Sequence, residues 1–128
     1  MMYSHDALYV SPTHEYVMLN KDFALVGLSE AIVHHLGDII DIELPTMGEL
    51  FSAGDTFATL HTRQRGAIEL RLPVSGEITS VNELVQEDPS LVQTQPYQHG
   101  WLIELILADR AELNDLELAE PNRELAYA

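Results

Sequence analysis

The chain of 128 residues contains no cysteine, which excludes a disulfide framework, a zinc ribbon, an iron–sulfur cluster and a thiol nucleophile. Basic residues are also scarce: 6 Lys and Arg stand against 21 Asp and Glu, for a formal net charge of −15 with histidine neutral. Phosphate backbones and anionic membrane surfaces repel such a chain, so we predict that it binds neither nucleic acid nor membrane. A partner with a basic surface would be attracted instead.

Long apolar runs are missing as well, and we expect no secretory leader. No stretch approaches the ~20 apolar residues of a membrane span. Residues 1–6 lack the basic start and the apolar run of a signal peptide. We therefore predict a cytoplasmic protein. The length and the 46% hydrophobic content predict one domain over residues 1–128 with a core of its own.

Lysine is almost absent from the chain, because Lys21 is the only one. The other five basic residues are arginines, namely Arg63, Arg65, Arg71, Arg110 and Arg123. Any function that needs a lysine side chain must therefore use Lys21.

The first third of the chain predicts a hairpin, a helix and a strand. Two apolar segments, 16–19 and 24–28, flank a turn-like tripeptide and favour a hairpin. Residues 29–37 predict two helical turns that begin at a Ser N-cap and end before a Gly. Residues 39–44 predict a strand with Ile40, Ile42 and Leu44 on one buried face.

An internal repeat occupies the middle of the chain. The segment Leu44–Leu50 (LPTMGEL) recurs 28 residues later as Leu72–Ile78 (LPVSGEI). In each copy Pro and Gly bracket a turn between two short apolar strands. We therefore expect two similar half-sheets that pack face to face with pseudo-symmetry.

A hairpin connects the two copies. Residues 67–72 alternate between apolar and polar side chains, as a strand with one wet face does, and residues 51–62 precede them. The polar segment Arg63–Gly66 then forms the tip, where Gly66 suits a turn that requires a positive φ.

The last third of the chain predicts a surface excursion, a strand and a helix. The polar stretch 82–100 predicts a surface excursion with a helical turn around Asn82 to Val85, and the apolar run 101–107 predicts a strand. Residues 109–112 form a capping box that opens a short acidic helix. The chain is thus predicted to be mainly β, a small sandwich or flattened barrel with short helices at its N-terminal side and C-terminus.

Several segments together resemble the H protein of the glycine cleavage system. They include Thr13-His14-Glu15-Tyr16-Val17, Val26-Gly27-Leu28-Ser29, Leu36-Gly37-Asp38-Ile39, Ala53-Gly54-Asp55, Pro73-Val74-Ser75-Gly76-Glu77-Ile78, Pro96-Tyr97 and Gly100-Trp101-Leu102. The resemblance runs in order from about Tyr9 to Leu116. It implies a lipoyl-domain-like barrel-sandwich hybrid over a core of about residues 9–116.

The resemblance also implies a function as a carrier. H proteins hold lipoate on a hairpin lysine and shuttle an aminomethyl group from glycine decarboxylase to an aminomethyltransferase. That lysine stands eight residues before the Pro of the Pro-Val-Ser-Gly turn, a position held here by Arg65. A guanidinium stays protonated and cannot attack an activated acyl group, so we expect no lipoate on this chain.

We accordingly predict a non-lipoylated paralogue that acts as a scaffold or regulator of the two enzymes. The residues expected to contact partners are His14, Glu15, Arg63, Gln64 and Arg65. An alternative is a repurposed binding module whose Arg63 and Arg65 recognise an anionic ligand or another protein, since Arg pairs bidentately with carboxylate and phosphate. Two simpler readings also stand: solvated arginines in a loop, and lipoate on Lys21.

Catalysis and metal binding find little support in the sequence. It contains no Gly-rich phosphate loop and no serine elbow, so we predict no catalytic site and no enzymatic activity of its own. The adjacent His34 and His35 would point about 100° apart on a helix. The other histidines lack the spacing of metal ligands, so we predict no metal site.

Overall fold

The structure, a computed structural model, describes residues 7–119 and the side chains of residues 8–118. The strands are β1 (Ala7–Val10), β2 (Glu15–Asn20), β3 (Phe23–Leu28), β4 (Ile39–Glu43), β5 (Leu50–Phe51), β6 (Thr56–Thr62), β7 (Gly66–Arg71), β8 (Gly76–Val81), β9 (Ile103–Leu107) and β10 (Glu117–Ala119). The helices are α1 (Glu30–Val33), α2 (Glu83–Glu87), α3 (Leu91–Thr94) and a 3₁₀ helix (Arg110–Asp115).

The strands form two antiparallel sheets of unequal size. The larger sheet has the order β10-β1-β2-β3-β9-β8-β5, and the smaller has the order β4-β6-β7. Buried side chains of both sheets meet in one core, with Leu60 and Leu70 from the smaller sheet and Val26, Ile103 and Leu105 from the larger. The prediction of a mainly β fold is confirmed. Within residues 7–119 no helix is long and apolar enough to cross a membrane.

The first hairpin is confirmed as β2–β3, but the predicted helix after it is shorter than expected. The α-helix α1 has one turn rather than two, and Ser29 makes no side-chain capping hydrogen bond. After α1 the chain turns at Gly37, whose φ is +76°. This left-handed conformation favours glycine.

The predicted buried face of strand β4 is right at Ile42 and Leu44 but wrong at Ile40. A β-bulge between Ile39 and Asp41 shifts the register against β6. Ile39 and Ile42 are therefore buried, whereas Ile40 is 52% exposed. An extra residue in one strand reverses the alternation beyond it, which the apolar pattern alone does not reveal.

The two copies of the repeat do not form separate half-sheets that face each other. They pair directly at one edge of the larger sheet, with Leu50 opposite Glu77 and Phe51 opposite Gly76. Two further backbone bonds clasp the copies, from Gly48 N–H to the Ile78 carbonyl and from Ile78 N–H to the Glu49 carbonyl. The repeat thus builds one local antiparallel contact.

The stretch 82–100 is a structural cover rather than a surface excursion. It contains α2 and α3, whose Val85 and Val92 are buried in the core. Its Tyr97 packs on Tyr16 with ring centroids 5.1 Å apart. The Tyr16 hydroxyl donates to the Pro96 carbonyl at 2.6 Å. This segment therefore closes a second apolar cluster on the outer face of β1–β3, with Leu8, Met18 and Leu25.

The predicted capping box is half right. The Asp109 side chain accepts from Ala111 N–H at 2.9 Å and begins the 3₁₀ helix. The Glu112 carboxylate instead accepts from Ser75 N–H at 2.7 Å and from the Ser75 hydroxyl at 2.8 Å. Glu112 thereby fixes this helix to the turn before β8.

Candidate functional site

The turn between β6 and β7 is formed by Arg63, Gln64 and Arg65. The last residue pair of the β6–β7 ladder is Thr62 opposite Gly66, so the three residues between them reverse the chain. The buried Thr62 hydroxyl donates to the Gly66 carbonyl and accepts from Arg65 N–H, both at 2.9 Å. Gly66 has a φ of +71°, as the sequence predicted. Three-residue hairpin turns with a left-handed Gly have this form.

Two of the three turn residues are held by the loop that follows α1. Arg63 N–H donates to the Asp38 carbonyl at 2.9 Å. Asp38 N–H in turn donates to Gln64 Oε1 at 2.8 Å. The Arg63 guanidinium lies 3.7 Å from the Asp38 carboxylate, and both side chains are about two-thirds exposed (67% and 69%). An exposed pair of this kind adds little stability, so the backbone bonds fix the turn.

The loop beneath the turn is itself tied to α3. Gln93 Nε2 donates to the Gly37 carbonyl at 2.7 Å and to the Val33 carbonyl at 3.1 Å. Gln64 packs so closely on Gly37 that a Cβ there would lie 2.3 Å from Gln64 Oε1. The turn is therefore held by the loop after α1, and α3 in turn anchors that loop.

All three turn residues are exposed, but only Arg65 has a side chain without a bonded partner among residues 7–119. Its guanidinium has no hydrogen bond or ion pair with any residue in the part of the chain that the structure describes. Its backbone N–H is the only group that the turn uses. Arg65 thus presents a positive charge at the surface of an acidic protein.

Lys21 lies away from this turn. It occupies the β2–β3 turn with a φ of +60°, and its carbonyl accepts from Arg110 Nη1 at 2.8 Å. Strand β3 begins beside Lys21 and ends beside α1, whose following loop contacts Gln64. Lys21 and the β6–β7 turn therefore lie toward opposite ends of β3.

The turn does not fit the attachment of lipoate that the family resemblance implies. Amide linkage needs a side-chain primary amine, and Arg63, Gln64 and Arg65 offer two guanidinium groups and a carboxamide. The carboxamide oxygen of the middle residue, Gln64, is already engaged by Asp38 N–H. No step through lipoate follows from these residues.

His14 and Glu15 are adjacent in sequence but point to different places. His14 has a φ of +72°, and its exposed side chain borders a surface cavity of about 300 Å³ beside Ser29 and Glu117. Glu15 is only 3% exposed. A partner cannot reach the Glu15 carboxylate in this arrangement, whereas it can reach His14.

The buried Glu15 carboxylate connects the two sheets. One oxygen accepts from the Ser11 hydroxyl at 2.7 Å and from the Thr13 hydroxyl. The other accepts from Arg71 N–H at 3.3 Å, and Arg71 belongs to β7 of the smaller sheet. A buried carboxylate with such donors supports the fold.

The structure places His14 and the β6–β7 turn at the two ends of one segment, residues 29–38. The His14 carbonyl accepts from Ser29 N–H at 2.9 Å, just before α1. Asp38, just after α1, contacts Arg63 and Gln64. The sequence interpretation missed Asp38 and Gln93 as supports of the turn, because contacts across 26 or 56 residues leave no local pattern.

Tyr16 and His61 are titratable residues that lie outside this turn. Burial, and then the neighbouring Tyr97, raise the pKa of Tyr16 well above its usual range. His61 hydrogen-bonds Glu43 on the exposed face of the smaller sheet. Among residues 7–119 no group of three His, Cys, Asp or Glu is placed to hold a metal ion.

The chain is similar to H proteins of glycine cleavage over nearly its whole length. The family model for the glycine cleavage H-protein matches residues 8–127. The glycine cleavage system H protein of Trichormus variabilis is 36% identical over 121 residues, covering 94% of this chain and 92% of that protein. The corresponding protein of Bacteroides thetaiotaomicron is 40% identical over 107 residues, covering 84% of each chain.

A solved structure supports the same similarity. The crystal structure of a glycine cleavage system H protein from Mycobacterium marinum superposes with a TM-score of 0.76. It is 25% identical and covers 94% of both chains. The expectation of a lipoyl-domain-like barrel-sandwich fold is confirmed by this match.

Proposed function

The chain belongs to the glycine cleavage H-protein family, and from that membership we propose that it acts in glycine cleavage without lipoate, as a scaffold or regulator of the pathway's enzymes. The family consists of lipoyl carriers that have no catalytic activity of their own, in agreement with the prediction that this chain is not an enzyme. The proposed partners are glycine decarboxylase and aminomethyltransferase.

The observation that carries the proposal is the composition of the β6–β7 turn. Arg63, Gln64 and Arg65 leave the turn without a nucleophilic amine. The one lysine, Lys21, stands in the β2–β3 turn. A member of this family that cannot carry the arm retains only its folded surface as a means of acting on the enzymes.

The surface around residues 29–38 supports a role in docking. His14 at one end and Arg63 and Arg65 at the other are exposed. Together they provide cationic or titratable groups on a chain whose net charge is −15. We expect this surface to occupy the place on an enzyme where a lipoylated H protein docks, so that the two proteins compete.

One experiment tests the proposal with two measurements, intact mass and binding. The chain is co-expressed with lipoate ligase in cells supplied with lipoate, purified, weighed intact, and titrated against purified glycine decarboxylase and aminomethyltransferase. We expect the mass of the unmodified chain, binding to at least one enzyme, and displacement by a lipoylated H protein. A lipoyl adduct, or a failure to bind either enzyme, would contradict the proposal.

A second candidate function is recognition of an anionic group by the turn. It is favoured by Arg65, whose guanidinium has no partner within the described residues, and by Arg63, which is only loosely paired at 3.7 Å. The double variant Arg63→Ala/Arg65→Ala should then abolish partner binding while folding normally. Unchanged binding by this variant would show that the turn is inert.

A further inference from the structure

A row of exposed side chains crosses the outer face of the larger sheet. Phe23 of β3 stands opposite Ile106 of β9, Ile106 stands opposite Glu77 of β8, and Glu77 stands opposite Leu50 of β5. Directly opposite residues project from the same face of a sheet. We call these four residues the β3–β5 row.

The row exposes three large apolar side chains. Phe23 is 42% exposed, Ile106 is 38% exposed and Leu50 is 77% exposed. Single exposed apolar residues are common, but an ordered line of them across adjacent strands is a feature of interaction sites. A surface cavity of about 440 Å³ lies at the β5 end of the row, with Leu50, Gly76, Glu77 and Ile106 among its lining residues.

The chain covers the neighbouring part of the same face and stops short of the row. Leu25, two residues beyond Phe23 on β3, is buried in the apolar cluster that Tyr97 closes. No comparable cover lies over Phe23, Ile106 and Leu50 among residues 7–119. The row is also next to the sheet edge, because β5 is the last strand and has two residues.

The charge in the row selects the kind of partner. Glu77 stands between Ile106 and Leu50, so a partner that covers both apolar side chains also removes the Glu77 carboxylate from water. That burial is strongly unfavourable unless the partner presents a cation. A second copy of this chain would bring another Glu77 and another net charge of −15. Long-range attraction likewise favours a basic surface.

We propose that the β3–β5 row docks a protein surface whose apolar side chains contact Phe23, Ile106 and Leu50 and whose Lys or Arg pairs with Glu77. This inference rests on the proposed function, so the partner that carries this complementary surface is an enzyme of glycine cleavage. The row is built from β3, β5, β8 and β9, whereas residues 29–38 and the β6–β7 turn lie elsewhere in the fold. Docking therefore uses a second surface in addition to the one that the family resemblance indicates.

The test compares two exposed leucines at opposite edges of the larger sheet. Leu50 is on β5, and Leu118, 63% exposed, is on β10. Purified glycine decarboxylase and aminomethyltransferase are titrated separately with wild type, Leu50→Ser and Leu118→Ser. We expect Leu50→Ser to weaken binding to one enzyme by about tenfold or more, and Leu118→Ser to change it by less than about twofold. Both leucines are exposed, so both variants should fold.

Charge reversal tests the cation on the partner. Glu77→Lys should weaken the same complex at least as much as Leu50→Ser, and Glu77→Gln should weaken it less. Glu87→Lys on α2, an exposed acid outside the row, is the matched control and should bind with nearly wild-type affinity. Wild-type affinity in Glu77→Lys would overturn the proposal.

The remaining outcomes separate this proposal from the proposed function. If wild type binds an enzyme and Leu50→Ser binds it equally well, the row is not the docking surface and the proposed function stands. If wild type binds neither enzyme, both fail. A wild-type dimer in sedimentation that Leu50→Ser abolishes would identify a second copy as the occupant, and the proposal would again be wrong.

Discussion

Gln64 Oε1 accepts a hydrogen bond from the backbone N–H of Asp38 at 2.8 Å. The middle residue of the β6–β7 turn is therefore hydrogen-bonded to the loop after α1, although it is exposed. This contact joins the β6–β7 hairpin of the smaller sheet to the loop between α1 and β4. The shape of the turn thus depends on the loop at Gly37 as much as on its own residues.

Gly37→Ala should destabilise the protein by more than its backbone conformation alone requires. The φ of +76° is unfavourable for alanine, and the new Cβ would lie 2.3 Å from Gln64 Oε1. We expect the free energy of unfolding to fall by about 2–3 kcal/mol, from strain plus displacement of Gln64. Urea denaturation followed by circular dichroism measures this loss.

Gly48→Ala is the matched control for that substitution. Gly48 has a φ of +92°, but a Cβ there meets no atom within 4 Å. It should lose only the conformational part, about 1 kcal/mol. In a Gln64→Ala background, the loss caused by Gly37→Ala should drop toward about 1 kcal/mol, because Oε1 and Cδ are removed and only the Cβ of residue 64, at 3.3 Å, remains close. Equal losses of unfolding free energy for Gly37→Ala and Gly48→Ala would show that the Gln64 side chain moves aside without destabilising the fold.

Arg65→Lys should make the chain a substrate for lipoate ligase. The Arg65 side chain is exposed and has no partner among the described residues, so a lysine there would present its amine to the ligase. Gln64→Lys should be modified less, because it replaces the side chain that packs on Gly37 and accepts from Asp38 N–H. Intact mass after co-expression with the ligase distinguishes the variants, with wild type as the unmodified control.

The opposite ranking would also be informative. If Gln64→Lys is modified and Arg65→Lys is not, then the middle of the turn, rather than the position eight residues before Pro73, corresponds to the acceptor site of the family. Failure of both variants would show that the turn has lost the shape that the ligase recognises.

Features determined by neighbouring residues were predictable from the sequence. The β2–β3 hairpin, the positive φ of Gly66 and the Asp109 cap each depend on a few consecutive residues, and the structure confirms them. Sequence motifs such as Thr13–Val17 and Pro73–Ile78 also identified the family. The composition of the β6–β7 turn was visible, but the exposure of Arg65 and the engagement of Gln64 were not.

Features determined by distant residues were not predictable. The bulge at Ile40 depends on how β4 pairs with β6, so the apolar pattern alone wrongly placed Ile40 on the buried face. The polar composition of residues 82–100 concealed the cover that Tyr97 provides, because its partner Tyr16 lies about 80 residues earlier. Glu15 was predicted to be a surface acid that contacts a partner. Its burial was not visible in the sequence, because one of its donors, Arg71 N–H, comes from the other sheet, 56 residues away.

Glu15→Ala should reduce stability, whereas His14→Asn should not. Removing the buried carboxylate leaves the Ser11 hydroxyl and Arg71 N–H without their acceptor. We expect a loss of about 2–3 kcal/mol in the free energy of unfolding. Asn tolerates the left-handed conformation that His14 adopts, so His14→Asn should remain within about 0.5 kcal/mol of wild type.

His14→Asn also tests the predicted role of His14 in binding. His14→Asn keeps the fold but removes the imidazole, so any weakening of the complex with glycine decarboxylase or aminomethyltransferase reports a lost contact. We expect a weakening of about threefold to tenfold. Unchanged affinity would leave His14 with a backbone role only, through its bond to Ser29 N–H.

Tyr16→Phe should both weaken the fold and change its response to alkaline pH. The buried hydroxyl donates to the Pro96 carbonyl at 2.6 Å, so its removal should lower the free energy of unfolding by about 1–2 kcal/mol at neutral pH. Burial and Tyr97 raise the pKa of Tyr16 above its ordinary value of 10.0. Above that pH the unfolded chain releases this proton while the folded chain retains it.

The folded state therefore binds more protons than the unfolded state in that range, and stability must fall as the pH rises. Tyr16 alone contributes a slope of about −1.4 kcal/mol per pH unit once the pH passes its ordinary value. Urea denaturation over a series of alkaline buffers should show a shallower decline for Tyr16→Phe than for wild type. Phe57→Leu, a buried substitution that removes no titratable group, is the control and should keep the wild-type slope. Parallel curves for wild type and Tyr16→Phe would mean that the Tyr16 proton is not held by the folded state, because the linkage requires the slopes to differ.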